Sequence, residues 1–300
     1  MTKLSVCIPV YNFDARELVF SLKKQISARN LSAEIIVIDD FSERKFLSLN
    51  SEIQNIANDF VALDKNLGRS KIRNLFLKYT KGEYLLFLDC DGKIISDNFV
   101  VKYLNFINQN PATNVIYGGR NVSEVPLNKD HLLRWKFAIE RENLPVEKRK
   151  ENPYLSFQTN NFIVKREVLE KIPFNSEYNK YGYEDLLFAM DLKIQNISID
   201  HIENPILNDD VETNEIYLKK VKESVESISL MLQNDSIKRK ISMIKLVKTF
   251  NKLNFFPVSF LLSIFFKVIK KSILNTLLRG NKSLKYLDLY KLGLLLEMQK

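Results

Sequence analysis

The 300-residue chain has only two cysteines, two histidines and one tryptophan. Cys7 and Cys90 both fall inside apolar runs, so they read as small core residues of a reducing compartment rather than as a disulfide or metal pair. The start, Met1 to Pro9, has no basic stretch followed by an apolar one and a cleavage site, so no secretory signal is expected. The apolar run 253–266 is about 14 residues long and contains Pro257, against the ~20 residues that a spanning helix needs. Glycine-rich phosphate cradles are absent as well. Neither G-x-G-x-x-G nor G-x-x-x-x-G-K-[ST] follows the first predicted strand, which excludes the dinucleotide and P-loop designs.

Acidic residues are scarce in one place. Residues 237–300 hold 14 Lys or Arg against Asp288 and Glu297, a local net of +12, which leaves −3 of the overall +9 for residues 1–236. The basic character belongs to the tail, and beyond that charge nothing points to nucleic acid.

What is present is a regular alternation. Leu4 to Asn12 reads as a strand closed by Pro9. Residues 15–28 carry Leu18, Leu22 and Ile26 at helical spacing. Residues 33–40 form a β-branched strand ending in Asp39 and Asp40, with Ser42 a candidate N-cap for a helix over 43–58. A short strand at 60–63, a helix to Tyr79 and the uninterrupted run Tyr84-Leu85-Leu86-Phe87-Leu88 follow. A run of that kind is buried on both faces, as in a parallel sheet covered by helices. Strand and helix at this rhythm predict an α/β doubly wound, mostly parallel sheet, in which ligands bind beyond the carboxyl ends of the strands. Tyr11 and Asn12, Asp39 and Asp40, and Asp89 and Asp91 all fall on that edge.

Asp89-Cys90-Asp91-Gly92 ends the fourth strand. Two carboxylates two residues apart at a turn are hard oxygen ligands for Mg2+ or Mn2+, which takes its other ligands from water and from a substrate's phosphates. With no glycine cradle, a diphosphate would be held by that metal and by Arg69 or Arg73. Asp39 can accept from a base N–H or a ribose hydroxyl, and Tyr11 offers a stacking face. Further on, Glu184 and Asp185 open a helix whose apolar positions are Leu187, Met190 and Ile194. Carboxylates are favoured there by the helix dipole alone, so the position by itself does not make them catalytic.

Four motifs in order carry a resemblance: Val6-Cys7-Ile8-Pro9-Val10-Tyr11-Asn12, Ile36-Val37-Ile38-Asp39-Asp40-Phe41-Ser42, Asn66-Leu67-Gly68-Arg69-Ser70-Lys71-Ile72-Arg73-Asn74, and Leu88-Asp89-Cys90-Asp91. Together they resemble the glycosyltransferase family 2 enzymes with the GT-A fold. The resemblance implies a metal-dependent, inverting transfer from a nucleotide diphosphate sugar, most naturally a UDP-sugar, to a glycan or lipid-linked acceptor hydroxyl. It implies that Asp39 reads the uracil ring, that Pro9 and Tyr11 border the base, and that Asn66, Gly68, Arg73 and Asp89 lie along the nucleotide. Asp91, with Asp89 beside it, would bind the metal. Gly182-Tyr183-Glu184-Asp185 resembles the family's ED motif, which implies Asp185 as general base and Glu184 as its neighbour orienting acceptor or loop. Phe41 departs from the family, which usually has a small residue there. His201 is a candidate metal ligand, although related bacterial enzymes would place that histidine after Asn204-Pro205, where this chain reads Asn208-Asp209-Asp210.

In the middle of the chain Trp135 could stack on an acceptor sugar, with the buried face of a helix the plainer reading. The stretch 158–164 has strand character with a polar entrance, resembling the floor of the family's acceptor site. After residue 212 the chain turns helical, at 215–232, 238–250 and 284–298. The expected division is a catalytic domain at 1–212 and a helical, basic region at 213–300. Lys267, Lys270 and Lys271 beside Phe266, Val268, Ile269 and Ile273 suit a helix lying at an anionic membrane surface, or one packed on the protein. The expected location is cytoplasmic, with peripheral attachment to the inner face of the membrane. A sugar-nucleotide nucleotidyltransferase is the alternative enzyme, but it would want a glycine-rich basic loop after the first strand. A non-catalytic membrane-associated module is the other alternative, opposed by Asp89, Asp91 and Asp185.

Overall fold

A computed structural model describes residues 3–177, 182–209, 211–280 and 283–299. The chain forms two compact units: Met1–Ser123 with Asn143–Asn179 and Asp191–Asp210, and Glu124–Glu142 with Lys180–Met190 and Val211–Lys300. The helical unit is therefore not confined to the part after residue 212; it also takes in two earlier excursions of the chain.

The first unit is built on β1 (Leu4–Val10), α1 (Arg16–Ala28), β2 (Ala33–Asp39), α2 (Arg44–Asn50), β3 (Asp59–Ala62), α3 (Arg69–Tyr79), β4 (Tyr84–Leu88) and α4 (Phe99–Gln109). These are followed by β5 (Val115–Tyr117), β6 (Arg120–Asn121), α5 (Leu132–Phe137), α6 (Val146–Glu151), β7 (Asn161–Lys165), α7 (Arg166–Lys171), α8 (Glu184–Ile194), β8 (Ile199–His201) and β9 (Ile206–Leu207). Of these, α5 lies in the second unit and α8 crosses from the second to the first. Seven strands make one sheet in the order β3-β2-β1-β4-β7-β5-β8, with β6 and β9 paired separately. Only β7 runs antiparallel, to both β4 and β5. Every residue of β4 is buried, as a strand covered by helices on both faces requires. Leu4, Val6, Ile8, Leu86 and Leu88 form the core on one face with Leu18, Leu22, Phe99 and Tyr103. Phe87 stacks on Phe162 at 5.0 Å and meets Phe76 edge-on at 5.6 Å.

The predicted helix over 43–58 is broken. α2 stops at Asn50 and a tighter turn covers Ser51–Asn55. Ser42 does not cap α2: its N–H donates to Asp39 Oδ1 at 2.7 Å, and its Oγ accepts the Asn12 N–H at 2.8 Å. The side chain is spent joining strand ends instead of closing a helix.

In the second unit α9 (Asn214–Met231), capped by Thr213, leads to α10 (Asp235–Ile241), α11 (Lys245–Leu253), α12 (Val258–Leu278) and α13 (Leu284–Met298). The helix expected at 238–250 is split between α10 and α11. α12 continues for 21 residues through Lys267, Lys270 and Lys271, longer than the apolar run itself. No single described helix is long and apolar enough to cross a membrane; α11 and α12 pass that test only together, as a pair bent by 116°.

Candidate active site

The ends of β1 and β2 are laced together. Val10 O accepts the Asp40 N–H at 2.7 Å, and Asn12 Oδ1 accepts the Glu43 N–H at 2.8 Å in return for the Asn12–Ser42 bond. Asn12 and Phe41 make these turns in the left-handed region, at φ 50° and 67°. That conformation explains why a small residue suits position 41. A phenylalanine there carries about 1–2 kcal/mol of local strain, and its ring, like that of Tyr11, is 55% exposed. Pro9, half-buried, precedes them in β1, paired with Ile38.

Asp39 is fully buried at the end of β2. Its Oδ1 takes the Ser42 N–H, whereas Oδ2 is buried with no hydrogen-bond partner among the described residues. An ionisable oxygen held away from water with nothing donating to it is costly, which marks the place of a missing donor. Asp40, beside it, clamps the next loop: Oδ1 and Oδ2 accept the N–H groups of Leu67 at 2.6 Å and Gly68 at 2.9 Å, and its carbonyl accepts Asn66 Nδ2 at 2.9 Å. Gly68, at φ 80°, adopts a conformation glycine accepts without strain and delivers the chain to the amino end of α3. The sequence placed Asp40 on this edge but did not reveal its clamp, since nothing local links it to a loop 26 residues away.

Arg73, buried, pairs with the half-buried Asp89. Arg73 Nη2 donates to Asp89 Oδ1 at 2.9 Å and Nη1 to the Arg69 carbonyl at 3.1 Å, with the guanidinium 5.8 Å from the Phe174 ring. Arg73 therefore orients a carboxylate, and of the two arginines considered for a diphosphate it is Arg69 that is exposed. The turn after β4 is held by β7 and β9. The Asn160 carbonyl accepts the Asp89 N–H at 3.0 Å. Asn160 Nδ2 donates to Asn208 Oδ1 at 3.3 Å, and Asn208 Nδ2 to Asp91 Oδ1 at 3.0 Å. A Cβ on Gly92 would sit 2.6 Å from Ile206 Cδ1 and 3.2 Å from the Asp89 carbonyl oxygen, so a larger residue here would displace the Ile206 side chain. Burial pushes the Asp91 carboxyl up to about 6, helped by the negative charge of Asp89 and opposed by Arg120 and Arg69.

This excess of negative charge is what a divalent cation would relieve. Asp91 and Asp89 are hard oxygen donors suited to Mn2+ or Mg2+. Among the described residues there is no group of three or more His, Cys, Asp or Glu side chains that could hold a metal. The pair thus fits a cation only if phosphate oxygens and water complete its shell. His201 lies elsewhere in its contacts. It is buried, with Nε2 3.0 Å from the Pro153 carbonyl and its ring edge-on to Tyr117 at 5.5 Å. Burial lowers its pKa to about 4, the environment of a neutral core histidine. Asn208 is the side chain that reaches Asp91.

Glu184 and Asp185 open α8 in the second unit, half-buried. Gly182 and Tyr183 precede them at φ 96° and 73°, and the Tyr183 carbonyl accepts the Leu187 N–H at 2.9 Å. A tyrosine in the left-handed region stores strain of a kind concentrated at functional sites. Asp185 Oδ1 accepts the Leu186 N–H at 2.7 Å. Tyr181 and Asp210 lie outside the described residues.

The sequence model of glycosyl transferase family 2 matches residues 5–187, more than half of the chain, which takes in Asp39, Asp40, Arg73, Asp89, Asp91 and Asp185 but not His201 or Asn208. The chain belongs to glycosyl transferase family 2. This transferase is 34% identical over 119 residues to an uncharacterized glycosyltransferase of Haemophilus influenzae, covering 38% of the chain and 37% of that protein. It is 38% identical over 98 residues to the poly(ribitol-phosphate) beta-N-acetylglucosaminyltransferase TarS of Staphylococcus aureus, covering 31% and 17%. The matched segments thus span well under half of the curated relatives' lengths. In fold it is similar to a Pyrobaculum calidifontis mannosyltransferase in complex with GDP-Man and Mn2+, at TM-score 0.58 and 12% identity, covering 97% of this chain and 86% of that one. It is likewise similar to S. aureus TarS 1-349 in complex with UDP-GlcNAc, at TM-score 0.55 and 18% identity, covering 96% and 89%. The chain thus has the GT-A type of α/β fold.

Proposed function

We propose that the transferase moves a sugar from a UDP-sugar to a hydroxyl of a cell-envelope glycan, polyol phosphate or lipid-linked acceptor, with inversion and with Mn2+ or Mg2+. The observation that carries the donor reading is Asp39 Oδ2, buried and without a partner among the described residues at the carboxyl end of β2. The uracil ring has an N–H at N3 that would supply the missing donor. Tyr11, Pro9 and Phe41 border the base, and the Asn66–Gly68 loop held by Asp40 runs beside the ribose and phosphates. Arg69 at the amino end of α3 suits the diphosphate, since free N–H groups and the helix dipole favour an anion there. The relatives named for poly(ribitol-phosphate) and the UDP-GlcNAc complex of TarS support the same donor and acceptor classes.

For the chemistry, Asp185 accepts the proton of the acceptor hydroxyl as its oxygen attacks the anomeric carbon from the face opposite the leaving diphosphate. Glu184 orients the acceptor or the loop. Asp91 and Asp89 would hold the cation, which when bound neutralises charge on the departing diphosphate; Arg73 keeps Asp89 in place and Asn208 keeps Asp91. The +12 tail supports attachment at the cytoplasmic, anionic face of a membrane, where such an acceptor would be presented.

Calorimetry of UDP binding tests this reading. UDP binds with Mn2+ present, binding weakens on EDTA addition, and Asp91→Ala removes the metal-dependent part. Equal affinity with and without EDTA overturns the metal assignment.

A further inference from the structure

The second unit has an apolar corner that the transfer chemistry does not use. Phe255 and Phe256 lie in the bend between α11 and α12, exposed, and Phe260, Leu261, Phe265 and Val268 continue the exposure along α12; Phe256 and Val268 are 83% and 77% exposed. The opposite side of the same helix is seated. Phe266 lies against α13 so closely that a Cβ on Gly293 would be 2.1 Å from its ring, and Lys270 bonds Glu297 at 2.6 Å. The outer face is therefore solvent-exposed while its own helix is anchored. Along that face the apolar character ends after Val268, where Lys271, Ser272 and Asn275 take over, all exposed.

Charge identifies the occupant. Residues 236–287 contain twelve Lys or Arg and no Asp or Glu. Lys248 and Lys252, exposed on α11, and Lys267 and Lys271, exposed on α12, flank the apolar corner. A second copy would bring the same cationic belt against itself, whereas an anionic lipid surface meets lysines with headgroups and phenylalanines with acyl chains. From Val258 to Val268 the apolar stretch of α12 is about three turns, roughly 16 Å of helix, too short for a bilayer core of ~30 Å.

We propose that the α11–α12 corner is the membrane-inserting element of this chain, a wedge whose phenylalanines enter the acyl boundary of an anionic leaflet while the flanking lysines hold its headgroups. This sharpens the membrane attachment proposed above and rests on it. Lys270, paired with Glu297, is not part of the contact, in contrast to Lys267 and Lys271.

Flotation of the full chain with phosphatidylglycerol-containing and phosphatidylcholine vesicles at low and high salt tests the proposal. The parent is compared with Phe256→Ser/Phe260→Ser/Phe265→Ser and with Phe256→Trp. The parent is expected to float with anionic vesicles, less so as salt rises. The triple variant should partition about ten- to a hundredfold less, as expected for losing three partly buried rings, with unchanged UDP affinity. The indole introduced at position 256 should shift its emission to the blue and be quenched by shallow lipid labels. A triple variant that floats like the parent overturns the wedge and leaves attachment standing. A parent that stays unbound at low salt overturns both. Concentration-dependent dimerisation of the parent, abolished by the triple variant without lipid, shows a protein interface and also overturns the wedge.

Discussion

Substituting Asp39→Asn is the sharpest probe of the base pocket. In the parent, Oδ1 already accepts the Ser42 N–H and Oδ2 is the buried oxygen without a donor. A uracil N3–H placed there forms a charge-assisted bond worth about 1.5–3 kcal/mol, which is roughly one to two orders of magnitude in affinity. Cytosine has an acceptor at N3 and would face a second lone pair, so the parent should bind UDP at least tenfold tighter than CDP. Asparagine keeps the Ser42 bond through its carbonyl oxygen and turns an NH2 toward the base. The amide then repels the uracil N–H and suits the cytosine nitrogen, so the ratio should collapse or reverse. Titration calorimetry of UDP and CDP, with Mn2+, on the parent and the variant reads the ratio directly, and thermal melts confirm that the variant folds. Equal affinities for the two nucleotides in the parent, or a ratio unchanged by the substitution, would refute the assignment of Asp39 to the base.

Two further outcomes are expected. Asp185→Asn should leave UDP affinity intact while turnover falls by about two to four orders of magnitude, the usual worth of a positioned base; transfer at the parent rate would reduce Asp185 to a helix-terminal charge. His201 carries a pH dependence with a defined sign. Its folded pKa of about 4 lies below the ordinary 6.5, so its contribution is complete above pH 6.5 and is lost as pH falls toward 4, by about 3 kcal/mol at most. Denaturant unfolding of the parent without divalent metal should show that loss and His201→Gln should lack it; a Mn2+-dependent change of slope present in the parent and abolished by His201→Gln would make His201 a ligand.

The alternation of runs and the carboxylates closing them made the sheet, and the edge at which those carboxylates gather, readable, because both depend on local pattern. Position within the sheet did not follow. β7 enters antiparallel between β4 and β5, a pairing decided across some 75 residues of chain. The roles of Asn160 and Asn208 were invisible for a different reason. Asparagine suits turns anywhere, and only the folded chain shows that these two stand behind Asp91. Arg73 was read as a nucleotide contact from its place in a motif, whereas its guanidinium turns inward to Asp89. His201 drew notice as one of two histidines and by its place downstream of the ED-like motif, whereas its ring is buried at the end of β8 against Tyr117 and the Pro153 carbonyl. Ser42 had the chemistry of a cap, but the Asp39 carboxylate and the Asn12 N–H engaged it first.

The lacing at the ends of β1 and β2 separates what must be inherited unchanged from what is open to variation. Every bond in it runs through main chain or through Asn12, Asp39, Asp40 and Ser42. None uses the rings of Tyr11 or Phe41, which project from the frame, exposed. Lineages carrying this frame are therefore able to exchange those two rings, and with them the shape offered to a donor's base, without dismantling the strand ends that hold them.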